Sequence, residues 1–378
     1  MASGSVTVIA LGLLCSFAAA PAGATQCDSW PAWQQFKQLY LSTDGRVVDA
    51  STQRHVTVSE GQSYALTFAL IANDPDTFGK VLQWTQNNLA AGDLSRNLPA
   101  WQWGRADDGT WRVLDQNSAA DADLWISYAL IEAGRLWHNP SYTMLGRALS
   151  DQILRDEVAL IPGLGPTLLP GPKGFVEHQT WRLNASYVPI QLLRAIGQRS
   201  QNKLWHQVLE TSQRLIIASA PHGAAADWTD YRAPDGFIAD TRTQGLGSYD
   251  AIRVYLWAGM LSDADPLYRS LSSQFAPMLR LVAQRPVPPE IIEPDTLNAR
   301  GEGAVGFSAA LMPLLSRTRA DEALRSARAR VESAALQNDQ HYYSDALSLF
   351  GLGFVQGRYR FDRGGELLPQ WNTPCLAR

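Results

Sequence analysis

A chain of 378 residues, 46% of them hydrophobic, is long enough to bury one large core or two modest ones. Its net charge of −4 offers no basic field, which excludes nucleic acid and anionic lipid as electrostatic partners. Three cysteines and six histidines, with no Cys-x-x-Cys, His-Glu-x-x-His or helical His-x-x-x-His spacing, give a metal site little support, and no GxSxG, P-loop or strand-following GxGxxG pattern appears.

Residues 6–20 form an apolar run too short to span a bilayer comfortably, followed by Pro21 and the small-x-small Ala22-Gly23-Ala24. This reads as a secretory signal peptide over 1–24, leaving a mature chain over 25–378 in the periplasm or outside the cell. The run lacks a preceding Lys or Arg; an uncleaved anchor is the alternative, and Leu14 before Cys15 argues against a lipoprotein. Two cysteines then remain, Cys27 and Cys375, at opposite ends of the chain. An oxidising compartment would let them bridge and tether the termini; two unpaired thiols are the alternative.

The dominant pattern downstream is amphipathic helix, turn, amphipathic helix. Apolar spacing predicts about twelve helices, near 31–42, 60–73, 75–90, 119–138, 140–154, 185–198, 201–218, 249–263, 266–281, 303–316, 319–336 and 342–355. Asn73-Asp74-Pro75, Asn139-Pro140 and Asp265-Pro266 mark helix starts. Helices in hairpins without βαβ alternation argue for an all-α toroid, an (α/α)6 barrel of inner and outer helices, in one domain. The longer connections, 91–118, 155–184, 219–248 and 282–302, are rich in Gly, Pro and Trp, which suits functional loops; Trp111 to Leu114 after the Asp108-Gly109 turn could form a hairpin. Thirteen tryptophans is a high share, and Trp101, Trp103, Trp111, Trp181 and Trp228 lie in turn-rich surroundings, where exposed aromatic faces suit the C–H faces of pyranose rings.

With metal and nucleophile motifs absent, carboxylates beside aromatics carry the chemistry. Glu60, in Ser59-Glu60-Gly61-Gln62-Ser63-Tyr64, falls at a helix start, where Ser59 would cap and the helix dipole alone would explain the Glu; Gly61 would allow close approach of a ligand. Asp121 and Asp123, two apart, cannot share a helix face, so one can face a cavity while the other caps or pairs. Asp250 and Arg253 stand at i, i+3 in Tyr249-Asp250-Ala251-Ile252-Arg253, either as a surface ion pair or, given the apolar neighbours, as a pair lining a cleft.

Together these segments resemble glycoside hydrolase family 8, in particular the endoglucanase members that accompany bacterial cellulose synthase. The likeness runs over nearly the whole mature chain. It includes Trp30-Pro31-Ala32-Trp33, Thr57 through Tyr64, Trp84 through Leu89, the Asp121 segment, Ser248 through Trp257 and Val305 through Ala310. The resemblance implies an (α/α)6 barrel and inverting hydrolysis of β-1,4-glucosidic bonds. It implies Glu60 as proton donor, Asp250 as general base and Asp121 as a third active-site carboxylate, with Ala120 standing where the family has Ser or Thr. Tyr64, Trp101, Trp103, Trp181, Tyr187, Tyr249 and Arg253 are the expected sugar contacts. A β-1,4-glucan chain is the implied partner, with association to a cellulose synthase complex, no cofactor and a monomeric state. Two rivals remain: a glucan-binding protein with a dead site, and a polysaccharide lyase or epimerase, for which His178 and His222 are the loop histidines.

Overall fold

The computed structural model describes residues 29–318, 320–337 and 341–372, with Met1. The expected signal peptide over 1–24 and the expected Cys27–Cys375 bridge lie outside the described residues.

The helices are α1 (Pro31–Tyr40), α2 (Ser59–Ile71), α3 (Pro75–Leu89), α4 (Ala120–Leu136), α5 (Pro140–Asp156), α6 (Ile190–Arg199) and α7 (Leu204–Ala218). They continue as α8 (Ala251–Met260), α9 (Tyr268–Gln274), α10 (Ala276–Ala283), α11 (Val305–Leu315), α12 (Asp321–Gln337) and α13 (Tyr342–Val355). Six of them, α2, α4, α6, α8, α11 and α13, pack side by side into an inner ring, and α3, α5, α7, α9 with α10, α12 and α1 lie outside it. The sequence dictates which is which. Every residue of α8 is buried, as are α11 beyond Val305 and α2 apart from Glu60; a helix apolar all round must sit inside. The outer helices keep a polar face. Their starts are capped as the Pro-containing turns predict: the Asp74 carboxylate accepts from Thr77 N at 3.1 Å and the Asn139 side chain from Ser141 N at 3.1 Å.

Two expected helices are interrupted. The segment predicted over 185–198 opens with a single 3-10 turn, Ala185–Tyr187, and α6 begins only after Pro189. The segment predicted over 266–281 becomes α9 and α10, because Pro277 has no N–H to give the carbonyl of Ser273. The long connections are ordered by small antiparallel sheets. Strand 57–58 pairs with 102–105, which pairs with the expected hairpin strand 111–115. Strands 176–177, 180–183, 229–232 and 236–239 form a second sheet.

Aromatic side chains plug the middle of the ring. Phe350 of α13 lies 4.6 Å from Phe68 and 5.0 Å from Tyr64 of α2, and 5.2–5.3 Å from Trp125 of α4 and Trp257 of α8, all ring centroid to ring centroid. That contact joins the first inner helix to the last and closes the ring. Close approach of α11 and α13 depends on Gly351, where a Cβ would come within 1.9 Å of the Ala309 carbonyl oxygen.

Candidate active site

The inner helices run parallel in the sense that matters: the N-termini of α2, α4, α8 and α13 contribute side chains to one cavity. Glu60 is the second residue of α2, Asp121 the second of α4, and Asp250 immediately precedes α8. Helix N-termini carry partial positive charge, so three carboxylates can be gathered at one end of a barrel at reduced electrostatic cost.

Arg253 is the hub. Its Nη1 donates to Glu60, to Asp121 Oδ2 at 3.1 Å and to Tyr64 Oη at 3.3 Å, while Nη2 donates to Asp250 Oδ1 at 2.7 Å. The i, i+3 pair is therefore cleft-lining and not a surface pair. The four side chains differ in access. Glu60 and Asp250 are 19% and 27% exposed, against 4% for both Asp121 and Arg253. Only the first two can hand a proton to, or take one from, a group in the cleft.

Burial sets their protonation. Desolvation pushes the Glu60 carboxyl up to about 7; Arg253 pulls the other way, and the charges of Asp121 and Asp250 push further up. Asp121 is also raised by burial, with Arg253 and the Ala122 N–H, 2.8 Å from Oδ1, opposing. That N–H serves Asp121 without the hydroxyl that Ala120 lacks.

The surroundings of Glu60 correct two readings. Ser59 does not cap α2: it lies inside the helix, its N–H bonds to the Trp101 carbonyl at 2.9 Å, and its buried hydroxyl has no hydrogen-bond partner among the described residues. Gly61 does not open space for a ligand. A Cβ there would meet Tyr342 Oη at 2.7 Å and Val47 Cγ1 at 3.3 Å, so the glycine serves packing behind the site.

Of the expected sugar contacts, Trp101, Tyr187 and Tyr249 line the cavity with the acids, and Tyr64 lies beneath, on Arg253. Trp103 lies outside that lining. It stacks on Trp111 at 5.3 Å, with the Arg46 guanidinium 4.4 Å from its ring, and Trp111 is 47% exposed. Trp181 is not brought to the cavity either; it packs on Tyr231 in the second sheet. His178 and His222 are exposed and do not line it, which removes support for proton abstraction by histidine.

Sequence reasoning missed two groups. Tyr343, in the first turn of α13, lines the cavity and donates to the Tyr249 carbonyl at 2.7 Å. The signal was available: Tyr342-Tyr343 opens an inner helix just as Glu60 and Asp121 do. Asp227 lies far from α8 in sequence, yet its Oδ1 accepts from the backbone N–H of Ser248 (2.7 Å), Asp250 (3.1 Å) and Ala251 (2.7 Å). It caps the helix that carries Asp250, and burial raises its carboxyl to about 6. No local spacing could have shown it.

Residues 1–357 match the family Glycosyl hydrolases family 8. A curated relative from Salmonella typhi, named Endoglucanase, is 47% identical over 92% of this chain and 93% of its own length. A solved endo-1,4-D-glucanase from Vibrio fischeri ES114 superposes with a TM-score of 0.87 at 45% identity, covering 91% of this chain and all of that one. An endo-beta-1,4-glucanase from Acetobacter xylinum follows at a TM-score of 0.71 and 26% identity, over 85% of this chain and 96% of its own. Helical hairpins closed into a ring, acids gathered at one end and a match over nearly the full length lead to one conclusion: the chain belongs to glycosyl hydrolase family 8.

Proposed function

We propose that this chain is an endo-β-1,4-glucanase that cuts internal bonds of cellulose with inversion, using Glu60 as general acid and Asp250 as general base. The observation that carries this reading is the pair of cleft-facing carboxylates held apart by the buried Arg253 guanidinium. Inversion needs an acid on the leaving oxygen and a base on water at the opposite face of the sugar, with about 6.5–9.5 Å between the carboxyls. A guanidinium bonded to Glu60 through one nitrogen and to Asp250 through the other keeps the two carboxyls from direct contact, as that scheme needs.

Glu60, raised to about 7, is protonated at mildly acidic pH and gives its proton to the departing glycosidic oxygen. Asp250 accepts a proton from the attacking water. Asp121, buried and bonded to the same Arg253, has no nucleophilic role to play in an inverting scheme. We assign it to holding sugar hydroxyls at the cleaved bond and favouring a ring distorted toward the oxocarbenium-like transition state, a role its place in the cavity lining supports. Trp101, Tyr187, Tyr249 and Tyr343 offer the flat faces and hydroxyls along which a glucan chain lies. The exposed Trp111, backed by Trp103 and Arg46, extends that surface beyond the cavity.

The chain works after export, as a monomer with residues 25–378 as its one catalytic domain. No helix among the described residues is long and apolar enough to cross a membrane. The curated relatives are named for glucan cleavage, and we place this enzyme beside a cellulose synthase, trimming its product. The test is viscosity loss of carboxymethylcellulose together with proton NMR of a short cello-oligosaccharide digest. A rapid fall in viscosity and first appearance of the α-anomer are expected. Unchanged viscosity would remove the activity, and β-anomer first would remove inversion.

A further inference from the structure

Behind Asp121 lies a second acidic pair that the mechanism above does not use. Asp123, one turn-step along α4, and Glu157, just past the end of α5, are both fully buried. Their carboxyl groups meet one another, and Ser118 Oγ donates to Glu157 Oε1 at 2.5 Å. Among the described residues the Ser118 hydroxyl is the one side-chain donor facing the two carboxyls, and neither residue makes an ion pair. The charged groups facing the pair are Asp121 on α4 and Asp156 beside Glu157, both acidic. Two buried carboxylates without a cation would repel each other and lack solvation. A proton between them supplies the missing donor.

The pair is tied to the cleft by its own chain. Ser118, Asp121 and Asp123 belong to one segment: Ser118 leads into α4, Asp121 faces the cavity and Asp123 faces Glu157. The segment is clamped from outside, since Ala120 N donates to the Pro170 carbonyl at 3.0 Å and Leu169 N donates to the Glu157 carbonyl at 2.8 Å. The 169–171 loop, the end of α5 and the start of α4 therefore converge on these two side chains.

We propose that Asp123 and Glu157 share a proton and together act as positioning residues that hold the first turn of α4, and through it the Asp121 carboxylate, in its place in the cleft. The inference rests on the role given to Asp121 above. Burial supports it: both carboxyls are raised, Glu157 to about 8, so at least one proton remains on the pair at neutral pH. Loss of that proton in alkali sets two charges against each other one residue from Ala122, whose N–H orients Asp121.

Three measurements on the full chain test it. Infrared difference spectra between wild type and Glu157→Gln at pH 7 should show a protonated-carboxyl C=O band lost in the variant; no such loss overturns the shared proton. Glu157→Ala should lower kcat on a cello-oligosaccharide about tenfold or more with KM little changed, and Glu157→Gln, whose amide can donate to Asp123, should recover most of it. Equal loss in the two variants overturns the hydrogen-bonding role. In an Asp121→Asn background, Glu157→Ala should lower kcat no further, because neighbours that act through one another are not additive; full additivity overturns the coupling to Asp121. If Asp121→Asn alone leaves kcat intact, the role of Asp121 falls while the infrared result still decides the shared proton.

Discussion

Glu60, the proposed general acid, offers the sharpest test of that assignment. An ordinary Glu, titrating at 4.5, would be about 3% protonated at pH 6, whereas a carboxyl at about 7 is about 90% protonated, a gain of about 30-fold in competent acid. The sign follows directly: the folded-state value is raised, so the acid form is complete at low pH and is lost as pH rises through about 7. Between pH 6 and 8 the rate on carboxymethylcellulose should fall about tenfold through this group alone. Glu60→Gln cannot donate and should lose about 10²–10⁴ in kcat/KM, with the alkaline limb gone. On an aryl cellobioside with an acidic phenol as leaving group, where no proton is needed, most of that loss should vanish. The assay is initial rate against pH for both proteins on both substrates. An alkaline limb near 4.5, or equal loss on both substrates, would refute the argument. The same proton bears on folding, since the unfolded chain releases it near 4.5 and the folded chain keeps it, so the contribution of Glu60 to stability is complete below 4.5 and is lost, by about 3 kcal/mol, as pH rises through 7.

Arg253→Met leaves three carboxylates around an empty centre. It should cost about 3–5 kcal/mol in urea unfolding and move the surviving alkaline limb upward, because Arg253 is the charge that most lowers Glu60; an unmoved limb would contradict the hub. Asp227→Ala strips the acceptor from three N–H groups at the start of α8 and should cost about 1–3 kcal/mol, with kcat falling more than KM rises, and Asp227→Asn restoring most of both. Phe350→Ala should cost about 3–5 kcal/mol by calorimetry, since its ring touches α2, α4 and α8 together; a loss under 1 kcal/mol would mean the plug does not close the ring.

The helices were legible because apolar spacing and proline caps act within one turn. Asp74-Pro75 and Asn139-Pro140 announced α3 and α5, and the burial of α2 and α8 could be read from their lack of a polar face. Pro189 and Pro277 were as visible, but a helix pattern running through them concealed the breaks. Glu60, Asp121, Asp250 and Arg253 were found through segments that resemble a family, and the structure places all four together. Asp227 and the Asp123–Glu157 contact were out of reach, for partners brought together by ring closure leave no periodic trace. The tryptophans divide on the same ground: residue type picked out Trp101 and Trp181 equally, and only the folded chain shows that Trp101 lines the cavity while Trp181 pairs with Tyr231 in the second sheet.

The Phe350 contact that joins α13 to α2 has a temporal meaning. Tyr343 and Phe350 lie nearly 100 residues beyond Asp250 in sequence, so a nascent chain holding only Glu60, Asp121 and Asp250 still has an open ring. Without α13 the contacts of Phe350 with Tyr64 and Phe68 on α2, and of Tyr343 with the Tyr249 carbonyl, are missing. The closed cavity around the three carboxylates therefore waits on α13 joining α2, and a chain cut before α13 should leave carboxymethylcellulose viscosity unchanged.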